Sequence, residues 1–130
     1  MALAFPALPG GCPDKEDSGM ATLAVPGAEL YYETWGGDGP LLLLIPGGNG
    51  DAASFAPLAP LLAAARTVVS YDRRGFSRSP LAGAPSDDER LGADAEDARS
   101  LIDHLGGGRA DVLGSSSGAI VALELLSRRP

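Results

Sequence analysis

The residues with the clearest chemical potential are Gly114-Ser115-Ser116-Ser117-Gly118, which fit the pattern G-x-S-x-G. The run lies between a short apolar strand pattern, Ala110–Leu113, and an apolar helical pattern, Ala119–Leu126. A serine on a tight strand-to-helix turn is held out where it can attack, and bulk on either side of it would clash, so small neighbours are required. The helix that follows offers its positive end to developing negative charge. In a chain this rich in Gly and Ser the bare pattern is weak, and the bland reading is a Ser/Gly turn with no chemistry. The flanking strand and helix are the context that favours a nucleophile at Ser116.

A serine hydroxyl is a weak nucleophile unless a base stands within hydrogen-bond reach. His104 is the single histidine and precedes the serine, on a helical pattern. Glu124 is the only acid after Ser116, two turns into the following helix. Neither is expected to serve Ser116.

A second pattern competes. Gly48-Asn49-Gly50-Asp51-Ala52-Ala53 fits G-x-G-x-x-G/A, follows a strand pattern and opens a helical one. Asp72 ends the next strand 24 residues after Gly48, near where a dinucleotide fold places its ribose-binding acid, and Arg73 and Arg74 could meet a 2′-phosphate. This is the alternative reading, an NAD(P)-binding module. Pro46 directly before the loop and a hairpin before the supposed first strand speak against it. A fold that keeps the turn but has lost its chemistry is a third reading.

Other chemistry is bounded by composition. One Cys, Cys12, and one His exclude a Cys-built zinc site and an intrachain disulfide, and no metal or organic cofactor is implied. The net charge of −7 makes a poor nucleic-acid binder. No apolar run approaches the roughly 18 residues of a membrane span. Met1–Gly10 lacks a basic n-region and is broken by Pro6 and Pro9, so it does not look like a secretory signal, and a cytoplasmic location is expected.

The elements that must position Ser116 can be read in order. Residues 1–19, with three prolines and a polar cluster, read as a disordered extension, and Met20 opens a more ordered segment, 20–130. Ala21–Val25 and Glu29–Trp35 flank Pro26-Gly27 and predict an antiparallel hairpin. Leu41–Ile45, apolar throughout and closed by Pro46-Gly47-Gly48, predicts a strand buried on both faces. A helix is expected over Ala53–Ala65, a strand over Thr67–Tyr71, and a long helix over about Asp87–Leu105. That helix would bury Leu91, Ala95, Ala98, Ile102 and Leu105 as one stripe, with its seven acids forming a solvated face. Strands joined by helices after an antiparallel start give an α/β fold with a parallel sheet.

Five segments in this order resemble the N-terminal half of an α/β-hydrolase-fold protein, from about Met20 to Pro130. The hairpin is the first, Leu41–Gly48 resembles the strand and oxyanion-hole loop that follow it, and Phe55-Ala56-Pro57-Leu58 the start of the first helix. Tyr71–Ser79 resembles the D-x-R-G-x-G-x-S loop, and Leu101–Leu105 the helix before the nucleophile strand. The resemblance implies Ser116 as nucleophile, with backbone N–H groups of Ser117 and Gly48 as the oxyanion donors. Pro46 stands where the family often has His, and Ser77 where it often has Gly. The implied function is a serine hydrolase acting on an ester or related acyl bond of a small molecule. The family order is Ser, acid, His, so the chain reads as a partial sheet truncated after the elbow helix and inactive by itself. Ala110–Leu113 would then be an exposed apolar edge.

Overall fold

The computed structural model describes residues 19–48, 51–81 and 90–128. The expected extension over residues 1–18, residues 49–50, the stretch 82–89 and residues 129–130 lie outside the described residues.

Pro26-Gly27 turns the chain between β1 (Met20–Val25) and β2 (Ala28–Gly36), which pair antiparallel with Val25 opposite Ala28. Gly27 takes φ +85°, a value glycine reaches at no steric cost. Gly19 belongs with this ordered part, since its carbonyl accepts from the Thr34 N–H at 3.0 Å. β3 (Leu41–Ile45) and β4 (Thr67–Tyr71) match the expected strands residue for residue. β5 (Asp111–Gly114) completes a five-stranded sheet ordered β1-β2-β4-β3-β5. β3 runs parallel to both β4 and β5, while β2 pairs antiparallel with β4.

The five apolar residues of β3 are explained by their alternation. Leu41, Leu43 and Ile45 face one layer, packed with Ala98, Leu101 and Val121 from the helices α2 (Arg90–Gly106) and α3 (Ser117–Arg128). Leu42 and Leu44 face the other layer with Phe55, Ala59 and Val68. Side chains alternate across a strand, so a strand covered on both faces must be apolar throughout.

Two expectations are corrected. The helix expected over Ala53–Ala65 is instead a 3₁₀ turn, Ala52–Phe55, and a single α turn, α1 (Ala59–Leu62). Pro57 and Pro60 each lack the N–H an unbroken helix needs, and Pro60 sits in the first turn of α1, where that loss costs nothing. On α2 the acids do not form one solvated face. Asp94 and Asp97 are buried, as are Ala95, Ala98, Leu101 and Ile102, whereas Leu91 is exposed. The acids expected at the helix start, Asp87 to Glu89, lie outside the described residues. β5 takes the sheet edge as expected, and Leu113, Ile120, Leu123 and Leu126 are exposed beside it.

Candidate active site

The turn from β5 into α3 places Ser116 at φ +56°, a left-handed conformation uncommon for any residue but glycine. The Ser115 carbonyl accepts from the Gly118 N–H and the Ser116 carbonyl from the Ala119 N–H, both at 2.8 Å. These bonds hold the tight elbow and leave Ser116 exposed. Such strain persists only where the surroundings enforce it. Here they do so through bare backbone. A Cβ on Gly114 would sit 2.4 Å from the Gly118 carbonyl oxygen, and one on Gly118 would sit 2.3 Å from that of Ile45. The two glycines flanking the serine are therefore set by close approach.

The loop after β3 abuts the elbow. The Ser115 N–H donates to the Ile45 carbonyl at 3.1 Å, and a Cβ on Gly47 would lie 3.1 Å from the Ser116 Cβ. Gly48 is exposed, with nothing within 4 Å of where a Cβ would sit. Ser117 opens α3, and the N–H groups of a first helical turn have no acceptor within the helix. The structure thus brings Ser116, Ser117 and the Gly47-Gly48 segment to one place, at the C-terminal end of β3.

Two adjacent residues after β4 clamp that loop. Asp72 is fully buried, and its Oδ1 accepts from the Ala52 N–H at 2.7 Å. Its Oδ2 accepts from the Arg78 N–H at 2.9 Å and from Arg78 Nε at 2.8 Å. Arg73 holds the other side. Its Nη1 donates to the carbonyls of Pro46 (3.3 Å) and Gly47 (3.0 Å) and to Ser117 Oγ (3.0 Å). Its Nη2 donates to Asp94 Oδ2 at 2.8 Å. The neighbouring Arg74 forms a two-pronged pair with Asp97 and also donates to the Pro26 carbonyl, tying α2 to the hairpin turn. Burial pushes the Asp97 carboxyl up, and the Arg74 hydrogen bonds only partly offset this; the same bonds push Arg74 up.

The sequence reasoning missed Asp94 and gave Arg73 no part at the serine. A signal for Asp94 was present: residues 94, 97, 98 and 101 follow helical spacing and share a face with buried Ala98 and Leu101.

His104 does not belong to the site. It is exposed near the end of α2. Gly106, two residues on, packs on Leu41, the first residue of β3. Ser116 lies past the last residue of that strand, so about four residue steps, or roughly 13 Å of strand, separate the two ends. Among the described residues there is no group of three side chains suited to a metal ion.

The dinucleotide alternative loses its groups as well. Asp72 is committed to Ala52 and Arg78, Arg73 is buried against Asp94, and Arg74 is paired with Asp97. The segment following the glycines is a 3₁₀ turn of four residues, which offers no helix N-terminus for a pyrophosphate.

Residues 40–130, which include the glycine loop, the elbow and the helix after it, match the family model for the α/β hydrolase fold. The chain belongs to the α/β-hydrolase fold family. It is 46% identical over 109 residues to the uncharacterized hydrolase YraK of Bacillus subtilis, covering 84% of this chain and 40% of the relative. It is 36% identical over 114 residues to the human serine hydrolase BPHL, covering 85% and 38%. Among solved structures it resembles the epoxide hydrolase VrEH1 of Vigna radiata, with a TM-score of 0.78, 26% identity, and coverage of 88% and 37%. The chain thus spans about two fifths of the length of these relatives. What it contains is a partial α/β-hydrolase sheet, from the hairpin to the elbow helix. Among the described residues no helix is long and apolar enough to cross a membrane.

Proposed function

We propose that this chain carries the nucleophile half of a serine hydrolase that cleaves an ester or related acyl bond of a small molecule. The observation that supports this most is the left-handed, exposed Ser116 at the head of α3, with the Gly47-Gly48 segment against it. In this reading Ser116 Oγ attacks the acyl carbonyl. The N–H groups of Gly48 and Ser117 receive the oxyanion, and the acyl-enzyme ester is later cleaved by water. A hydroxyl at the elbow favours acyl substrates over epoxides. Opening an epoxide with Ser116 would leave an alkyl ether, which water does not cleave, whereas an acyl ester is readily hydrolysed.

The serine needs a base, and neither His104 nor Glu124 is placed to serve it. These 130 residues are therefore not expected to turn over an ester at an enzymatic rate. The test is exposure to a fluorophosphonate probe, with imidazole added to supply the base, followed by peptide mapping. Label is expected on the peptide containing Ser116 and is expected to vanish in Ser116→Ala. Equal labelling of the Ser116→Ala protein would overturn the serine reading. Ser116-dependent multiple turnover of an activated ester would overturn the half-site reading.

A further inference from the structure

We infer that Arg73 is the positioning residue for both oxyanion donors, holding the Gly48 N–H through the carbonyl of its own peptide and the Ser117 N–H through that residue's side chain; this rests on the serine-hydrolase reading above. Arg73 Nη1 donates at 3.0 Å to the Gly47 carbonyl. That carbonyl and the Gly48 N–H belong to one peptide unit. The unit is planar, and no cis peptide bond occurs among the described residues. In a trans peptide the C=O and N–H point in opposite directions. Fixing the Gly47 oxygen toward the guanidinium therefore fixes the Gly48 N–H away from it. The same hydrogen bond draws electron density from the peptide and makes its N–H a stronger donor.

The second donor is held in parallel. Nη1 also donates to Ser117 Oγ at 3.0 Å, which fixes the residue whose own N–H is the other donor. One nitrogen thus ties the glycine loop to the first residue of α3. The guanidinium cannot drift. Nη2 is anchored on Asp94, whose side chain is 2% exposed, and the Arg73 side chain is 10% exposed. A lysine keeps the charge but not the planar fork, so it cannot serve the Gly47 carbonyl, Ser117 Oγ and Asp94 Oδ2 together.

The test uses the full 130-residue chain as wild type, as Arg73→Lys, and as the double variant Arg73→Met with Asp94→Leu. The double variant leaves no lone charge at the buried pair, and Arg90, 3.7 Å from Asp94 with its side chain 35% exposed, keeps its access to solvent, so this is the variant expected to stay folded. Two readouts are combined. Amide ¹⁵N–¹H spectra report Gly48 and Ser117 against the β1–β2 amides, and fluorophosphonate labelling reports the rate at Ser116. The expected result is displaced Gly48 and Ser117 signals, unmoved hairpin signals, and labelling slowed about tenfold or more in both variants, as loss of donor alignment predicts. Unmoved Gly48 and Ser117 signals would overturn the inference, as would displaced signals with labelling at the wild-type rate. If wild-type Ser116 takes no label even with imidazole present as the base, the serine reading itself has failed. The amide signals alone then decide whether Arg73 holds the two N–H groups.

Discussion

Arg73 Nη2 and Asp94 Oδ2 lie 2.8 Å apart, and both side chains are nearly excluded from solvent. A pair this deep is worth little compared with an apolar pair of the same size, because both ions lose their hydration. Breaking it is another matter. Asp94→Ala strands a buried guanidinium and is expected to cost about 3–5 kcal/mol, a large share of the roughly 5–15 kcal/mol that holds a typical domain together. Replacing both partners with apolar residues, Met at 73 and Leu at 94, should recover most of that loss. Urea melts of the two variants and the wild type check this. A double variant no more stable than Asp94→Ala would show that the cost lies in packing rather than in the orphaned charge.

Much of this arrangement was legible in the sequence, for reasons that differ by residue. β3 was legible to the residue because a five-residue apolar run between breakers has few other homes, and β4 because a short run rich in β-formers ends in a polar loop. Ser116 was read because an elbow demands small neighbours, and the structure adds the positive φ behind that demand. Ser77, which stands where the family often has glycine, also takes a positive φ, +48°. The helix expected after the glycine loop was misread because the apolar spacing of Ala53–Ala65 outweighed Pro57 and Pro60, which split it. Asp94 and Asp97 were misread because acids on a helix are solvated by default. Their burial depends on Arg73 and Arg74, contributed by a loop some twenty residues earlier, and no local pattern reports that pairing.

The glycines around the serine should not be equivalent. A Cβ on Gly118 would lie 2.3 Å from the Ile45 carbonyl oxygen and 2.6 Å from that of Pro46, and backbone cannot swing aside. Gly118→Ala is therefore expected to cost about 1–3 kcal/mol or more through overpacking, and to loosen the elbow. Gly48 has nothing within 4 Å of where its Cβ would sit. Gly48→Ala should leave stability within about 0.5 kcal/mol of wild type, and it retains the backbone N–H. Thermal melts of both proteins distinguish the cases. Equal losses would mean the glycine loop is packed as tightly as the elbow.

Acid should weaken the entry into the segment after the glycine loop. Asp51 caps it by accepting from the Ala53 N–H at 2.8 Å, and this bond is the main reason its carboxyl is held below its ordinary value of 3.8. A carboxyl with a lowered folded pKa favours the fold only while ionised. Its contribution is complete above about pH 4 and is lost as pH falls through the folded value. Asp51→Ala should cost about 1 kcal/mol at neutral pH, typical of a lost cap. The gap between the variant and wild type should close as pH falls below 3.8, from which the Asp51 carboxyl is depressed. Denaturant midpoints measured from pH 7 to pH 2.5 test this, and a gap that stays constant across that range would rule out the ionised carboxylate as its source.

The edge at β5 sets the last expectation. Its inner side pairs with β3, while Leu113 on the strand and Ile120, Leu123 and Leu126 on α3 are exposed, Leu123 by 66% and Ile120 by 55%. A strand edge beside a bare apolar helix face templates association of chains. The protein is expected to self-associate as its concentration rises, by a route that depends on this face. Ile120→Lys with Leu123→Glu adds charge where nothing is packed, so it should raise the monomer fraction in sedimentation or light scattering. It should also leave the melting transition of dilute protein within about 0.5 kcal/mol of wild type, as for a surface change. A double variant that associates as strongly as wild type would move the sticky surface elsewhere. One that loses several kcal/mol would show that these side chains are already covered.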